Sequence, residues 1–171
     1  MKKFYPLFFT FFIILCCFGA RPLKPQLKPF KAEVKWIYDG DSFKAGSRGS
    51  KFEVRLYGID APEKLQPYGK ASLKNLIKLI KYKTIIVEPL EKDHYGRLIA
   101  KVYILKKVNK QQVKLYINLC QVEAGMAWWY KKYAPKESVL EKAQNKARKK
   151  RIGLWAQKNP ENPSSFRRRT H

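Results

Sequence analysis

Polar and apolar residues alternate along Ala32-Glu33-Val34-Lys35-Trp36-Ile37, as they do in a strand with one face buried. The turn signal Asp39-Gly40-Asp41 follows, and residues 42–45 begin a second strand. Gly46-Ser47-Arg48-Gly49-Ser50 has the composition of a hairpin tip, and Lys51-Phe52-Glu53-Val54-Arg55-Leu56-Tyr57 alternates again as a third strand. Leu73, Leu76, Ile77 and Ile80 recur at the spacing of one helix face, just after Pro67-Tyr68-Gly69. β-Branched runs at residues 84–87 and 98–104 predict two more strands, joined through Asp93-His94-Tyr95-Gly96-Arg97. Asn118 as cap, Gln121 as its capping-box partner and Gly125 as stop predict a short helix. A last helix covers residues 138–151, with Leu140, Ala143 and Ala147 facing inward and Gly153 ending it. Trp36 and Trp155 are read as core residues. Five short strands with three helices make an α+β domain, whose strand order the pattern does not fix.

The two ends of the chain break these periods. Met1-Lys2-Lys3 is basic, and residues 4–20 carry no charge and many Phe, Ile and Leu, the layout of a secretory signal peptide. Cys17, Gly19 and Ala20 offer a cleavage region before Arg21. The apolar run also meets the lower length limit for a membrane anchor if it is not cleaved. Cys16 and Cys17 raise a lipoprotein reading, which Leu15 before Cys16 fits badly. The expected localisation is secreted, periplasmic or cell-surface. Residues 21–30 hold Pro22, Pro25 and Pro29 among lysines and read as an extended linker. The folded domain is expected over residues 31–157. Residues 158–171, with Pro160, Pro163 and Arg167-Arg168-Arg169, read as a disordered basic tail.

Charge narrows the partner. The chain has 37 Lys+Arg against 13 Asp+Glu, a formal +24. A field that basic favours polyanions, whether nucleic acid, anionic membrane or acidic glycan. A five-stranded OB-type barrel then becomes the natural candidate fold, because that barrel commonly binds oligonucleotides. Cleavage of the signal would leave Cys120 as the one cysteine of the mature chain, which excludes an intramolecular disulfide and a cysteine metal cluster. Cys120 reads as a buried, inert thiol.

The candidate chemistry is acidic turns embedded in this basic chain. Asp41 and Asp60 both stand at strand ends beside tight turns, where two carboxylates from separate segments can share a hard cation. Oxygen-only ligands favour Ca²⁺ or Mg²⁺ over zinc. Arg55 and Arg97 can clamp a phosphate with a planar fork. Trp128-Trp129-Tyr130-Lys131-Lys132-Tyr133 interleaves aromatics with cations, as single-strand-binding surfaces do. Taken singly, each of these is more often an ordinary turn or a core aromatic.

In combination and in order, Asp39-Gly40-Asp41-Ser42, the run Arg55-Leu56-Tyr57-Gly58-Ile59-Asp60-Ala61-Pro62-Glu63 and Tyr95-Gly96-Arg97 resemble the staphylococcal nuclease (thermonuclease) family. Gly125-Met126-Ala127-Trp128-Trp129-Tyr130 and Gly153-Leu154-Trp155 add to the likeness, which covers residues 33–155. The resemblance implies that Asp41, Asp60 and the backbone carbonyl of Ala61 bind Ca²⁺, that Arg55 and Arg97 hold the scissile phosphate, and that Glu63 is the general base. It matches Tyr95, with His94 beside it, to a terminal phosphate contact, and leaves Tyr130 or Tyr133 as a second. It further implies hydrolysis of DNA and RNA to 3′-phosphate ends with slight sequence preference, single strands favoured over duplex. No obligate protein partner is expected, the chain acts as a monomer, and a membrane enters only if the N-terminal segment is uncleaved. Two rivals are a non-catalytic nucleic-acid-binding module of the same fold and a basic protein that coats anionic surfaces.

Overall fold

The computed structural model describes residues 27–170, so the expected signal peptide and most of the linker lie outside the described residues. The chain begins as an antiparallel meander of β1 (Phe30–Ile37), β2 (Ser42–Ser47) and β3 (Ser50–Leu56). The β2–β3 tip turns at Arg48-Gly49, both at positive φ. After α1 (Gly69–Ile80), β5 (Thr84–Lys92) pairs antiparallel with β1, and β6 (Leu98–Val108) pairs antiparallel with β5. The start of β6 then runs parallel to the end of β3, with Val54, Arg55 and Leu56 opposite Leu98, Ile99 and Ala100. That pairing closes a five-stranded OB-type barrel.

β6 outlasts the barrel. Its far half forms a hairpin with β7 (Gln111–Tyr116) across Asn109-Lys110, both at positive φ. The sequence reading has no strand at β7. Gln111 to Lys114 are exposed on both faces, so no alternation marks them. The two-residue strands β4 (Ile59–Asp60) and β8 (Trp128–Trp129) also pair, which lays the aromatic run against Asp60.

The barrel interior holds Phe43, Val54, Leu56, Ile85, Val87 and Val102. Leu76 and Ile80 of α1, Ile117 and Val122 of α2 (Ile117–Glu123) and Leu140 of α3 (Ser138–Lys149) extend this core. Ala143 and Ala147 of α3 are buried as expected. A smaller cluster joins Ala147, Leu154 and Trp155 to Trp128, with the Arg148 guanidinium 4.2 Å from the Trp155 ring centroid. Leu154 and Trp155 lie on a 3₁₀ turn (Gly153–Ala156). Among the described residues no helix is long and apolar enough to cross a membrane.

Four sequence expectations change. Trp36 is 66% exposed rather than core, because a β-bulge between Val34 and Trp36 breaks the two-residue period. Asn118 and Gln121 do not cap α2; both are fully buried and bridge elements. Cys120 is a free thiol only partly buried, and burial raises its pKa. The segment read as a disordered tail contains a fourth α-helix, α4 (Pro163–Thr170), where three helices are expected. Asn162 caps it through its side chain to the Ser164 N–H, and Pro163 fills the first helical position, where its missing N–H costs nothing.

Candidate active site

The Asp39-Gly40-Asp41-Ser42 turn is self-bonded. Asp39 Oδ1 accepts from the N–H groups of Asp41 (2.9 Å) and Ser42 (2.7 Å). Behind it, the Gln121 side chain donates to the carbonyl of Gly40, and Ser72 Oγ donates to the Met126 carbonyl at 2.6 Å. Only glycine fits at position 40, since a Cβ there would lie 1.8 Å from Ser72 Oγ and 2.8 Å from the Ala61 Cβ. Asn118, through its amide, accepts from Val102 N–H and donates to the carbonyls of Tyr57 and Ala100, pinning α2 to the barrel seam. Two helices therefore press the acidic turn against the segment that follows β3.

That pressure brings the two aspartates together. Asp41 and Asp60 are each 1% exposed. Arg55 joins them, with Nη1 2.5 Å from Asp41 Oδ1 and Nη2 2.7 Å from Asp60 Oδ1. Asp41 Oδ1 also accepts from Ser42 Oγ, and its Oδ2 accepts from the Ala61 N–H at 2.7 Å. Burial pushes the Asp41 carboxyl up to about 6; the Arg55 guanidinium and the Ala61 and Ser42 bonds oppose that rise, and the Asp39 charge adds to it. Burial works against the Arg55 cation, but Asp41 and Asp60 outweigh it and raise its pKa.

Glu63 stands at the rim of this pair, its side chain 36% exposed. A third arginine meets it there. Arg167 of α4 places Nη1 2.6 Å from Glu63 Oε1 and 3.3 Å from Asp60 Oδ1, and Nη2 3.0 Å from Asp60 Oδ2. Sequence reasoning missed Arg167 by assigning it to the tail. The signal that could have found it is Asn162-Pro163, a cap followed by a first-turn proline.

Arg97 arrives by another route. The parallel pairing of Leu98 with Val54 sets it beside β3, on a cleft of about 360 Å³ shared with Tyr38, Asp39, Ser42, Glu53 and Val54. Its guanidinium does not join the aspartate pair. It faces Asp93, with Nε 2.8 Å from Oδ2. Burial tends to raise the Asp93 carboxyl, but the Arg97 and Tyr95 hydrogen bonds outweigh it and hold it below the usual value. His94 and Tyr95 sit on the same turn with ring centroids 3.8 Å apart, and Tyr95 is 74% exposed. Tyr130 is on the Asp60 side, its N–H donating to the Gly58 carbonyl and its ring edge-on to Tyr133. Burial, then the Asp60 charge, raises the Tyr130 phenol.

The donor set suits a hard cation. Among the described residues no three His, Cys, Asp or Glu side chains converge as a metal cluster. Two buried carboxylates supply oxygen ligands only, so the rest of a shell would fall to a backbone carbonyl and waters, as Ca²⁺ and Mg²⁺ accept. The anionic pair is balanced here by guanidinium groups.

A model of the family described as Staphylococcal nuclease homologue matches residues 53–157, which include Arg55, Asp60, Glu63 and Arg97. An uncharacterized endonuclease of Haemophilus influenzae is 43% identical over 133 residues, 77% of this chain and 70% of that protein. A micrococcal nuclease of Shigella flexneri is 34% identical over 146 residues, 84% of each. Staphylococcal-like nuclease CAN1 of Arabidopsis thaliana is 38% identical over 118 residues, 69% of this chain but 34% of that longer protein. The five-stranded barrel, the order of the motifs and these matches lead to one conclusion: the chain belongs to the staphylococcal nuclease homologue family.

Proposed function

We propose that this chain is an exported, calcium-dependent nuclease that hydrolyses phosphodiester bonds of DNA and RNA with little sequence preference and leaves 3′-phosphate ends. The observation that carries the proposal is the buried Asp41–Arg55–Asp60 group with Glu63 at its rim, inside a chain of formal charge +24. A protein that only coats polyanions has no use for buried acids beside its cationic surface. The names of the Haemophilus and Shigella relatives, endonuclease and micrococcal nuclease, support the reaction class.

The roles follow from charge. A phosphodiester is an anion, and attack by water adds charge to its oxygens. Arg55, fixed between the two aspartates, presents a guanidinium that neutralises that charge as it grows. Arg97 adds a second guanidinium, steadied along its Nε side by Asp93. Glu63, nearer to water than either aspartate, takes the proton of the attacking water. A divalent cation held by Asp41, Asp60 and the Ala61 carbonyl would supply Lewis-acid polarisation of a phosphoryl oxygen. Tyr95 with His94 on one turn, and Tyr130 with Tyr133 on another, offer stacking and phosphate contacts at the rim. Stacking needs unpaired bases, so single strands are preferred to duplex. The chain acts as a monomer without an obligate protein partner. Export rests on the basic start and apolar run of residues 1–20.

The test is degradation of single-stranded DNA, RNA and plasmid with Ca²⁺, with Mg²⁺ and with chelator, followed by end-group analysis. Cleavage with Ca²⁺, poorer cleavage with Mg²⁺ and none with chelator are expected. Undiminished cleavage in excess chelator would sink the calcium mechanism. Binding without cleavage under every condition would make the chain a nucleic-acid-binding module.

A further inference from the structure

The C-terminal helix reaches the site from far along the chain. Arg167 is 107 residues from Asp60 and 104 from Glu63, yet one guanidinium contacts both. Asp60 Oδ1 already accepts from Arg55, and Arg167 engages Oδ1 and Oδ2 together. Polar contacts add to this at the start of α4 and just before it. Gln66 Nε2 donates to the Glu161 carbonyl at 2.7 Å, and Arg169 folds back on Glu161. Pro163 is the single buried residue of α4. A short helix with a single buried residue sits at the low end of local stability, so it opens without unfolding the barrel.

We infer that α4 is a strap that closes the site, with Arg167 competing against the divalent cation for Asp60 and against the attacking water for Glu63. This rests on the calcium-nuclease reading above. While Arg167 is docked, both Asp60 oxygens are engaged, and Glu63 Oε1 accepts from the guanidinium where a water would otherwise sit. Arg55 cannot play this part, because it is fixed on a barrel strand between two buried acids. Arg167-Arg168-Arg169 is also the kind of run that phosphates draw off, since a guanidinium fork fits phosphate oxygens as well as it fits carboxylate oxygens. Cation and polyanion therefore pull in the same direction: one takes Asp60, the other takes the arginines, and the strap lifts.

The experiment compares the full chain with Arg167→Ala and with Arg168→Ala, the latter an exposed neighbour whose side chain, among the described residues, reaches only Ser165. Calcium affinity is read by titration calorimetry, and amide hydrogen exchange is followed across residues 161–170. Removing this competitor should tighten calcium binding about fivefold in Arg167→Ala. Arg168→Ala, a surface change, should stay within about twofold of the parent. Exchange in α4 should quicken in Arg167→Ala, and in the parent once calcium is added. Equal or weaker calcium binding by Arg167→Ala would overturn the competition while leaving the calcium reading intact. Unchanged α4 exchange in Arg167→Ala would show that this contact does not hold the strap. Flat titrations for all three proteins would bring down the calcium reading itself and the competition with it.

Discussion

Asp60 is held from two sides by arginines that the fold supplies differently. Arg55 comes from β3, five residues away, and its other partner Asp41 is 1% exposed. Arg167 comes from the opposite end of the domain, and its other partner Glu63 is 36% exposed. The closest distances are alike, 2.5 Å in one case and 2.6 Å in the other. Burial separates them. The Arg55 side chain is 17% exposed and that of Arg167 33%. A pair withdrawn from water cannot lose one member without stranding the other, whereas a rim pair can exchange its partner for water, salt or another ion. Distance alone would rank these contacts as equals; environment makes one a fixture and the other a latch.

The sharpest way to break that comparison is to remove each arginine in turn, in chelator so that no cation substitutes. Arg55→Ala should cost about 3–5 kcal/mol of stability, because it leaves buried Asp41 without its counter-charge and Asp60 with Arg167 alone. Arg167→Ala should cost about 1 kcal/mol or less. Urea denaturation of both variants checks the ranking. Equal losses would mean that burial does not distinguish the two arginines.

Arg97 offers an intermediate case, a site arginine on a surface turn. Arg97→Ala should lower turnover on the order of 10²–10³, the usual loss when one electrostatic donor to a developing oxyanion is removed. Its stability should fall by much less than that of Arg55→Ala, since Asp93 keeps its hydrogen bonds from the Tyr95 and Arg97 N–H groups. Near-parental turnover in single-turnover assays would reduce Arg97 to a residue that merely shapes the turn.

The rigid side of the comparison depends on the turn behind Asp41. Gly40→Ala places a methyl group against Ser72 and Ala61, so α1 or the turn must shift. Overpacking of this kind should cost about 1–3 kcal/mol. Thermal unfolding reads the loss. A neutral Gly40→Ala would show that the turn has slack, and that Asp41 is not locked in place by its surroundings.

What could be read from the sequence divides along the same line. Arg55, Asp60 and Glu63 lie within nine residues at the end of an alternating strand, so local pattern and motif point to them together. Asp41 was legible as part of an acidic turn, although its pairing with Asp60 depends on the barrel. Positions whose environment is made by distant elements were not legible. Asn118 and Gln121 look like helix caps, but the fold buries them as bridges between α2, the barrel and the Asp41 turn. Trp36 follows the alternation into the core until a bulge turns it out. β7 carries no period because neither face of its first four residues is buried. Arg167 sits in a segment whose composition reads as solvated, and its ordering depends on acids that lie a hundred residues earlier.

The finest test of the comparison measures coupling rather than loss. In a double-mutant cycle, Arg167→Ala and Glu63→Gln are made singly and together, and the coupling energy is what remains after both single effects are subtracted. For a rim pair it should be about 0.2–1 kcal/mol at low salt. It should shrink as ionic strength rises, because mobile ions reach both partners. The matching cycle of Arg55→Ala with Asp41→Asn should give a larger coupling that salt hardly changes, since both groups are inside the fold. Urea denaturation of the seven proteins, four per cycle with the parent shared, at two salt concentrations supplies every quantity needed. A rim coupling that equals the buried one, or that ignores salt, would mean that Arg167 is as firmly built into the site as Arg55. The C-terminal helix would then be a fixed wall of the active site and not a strap across it.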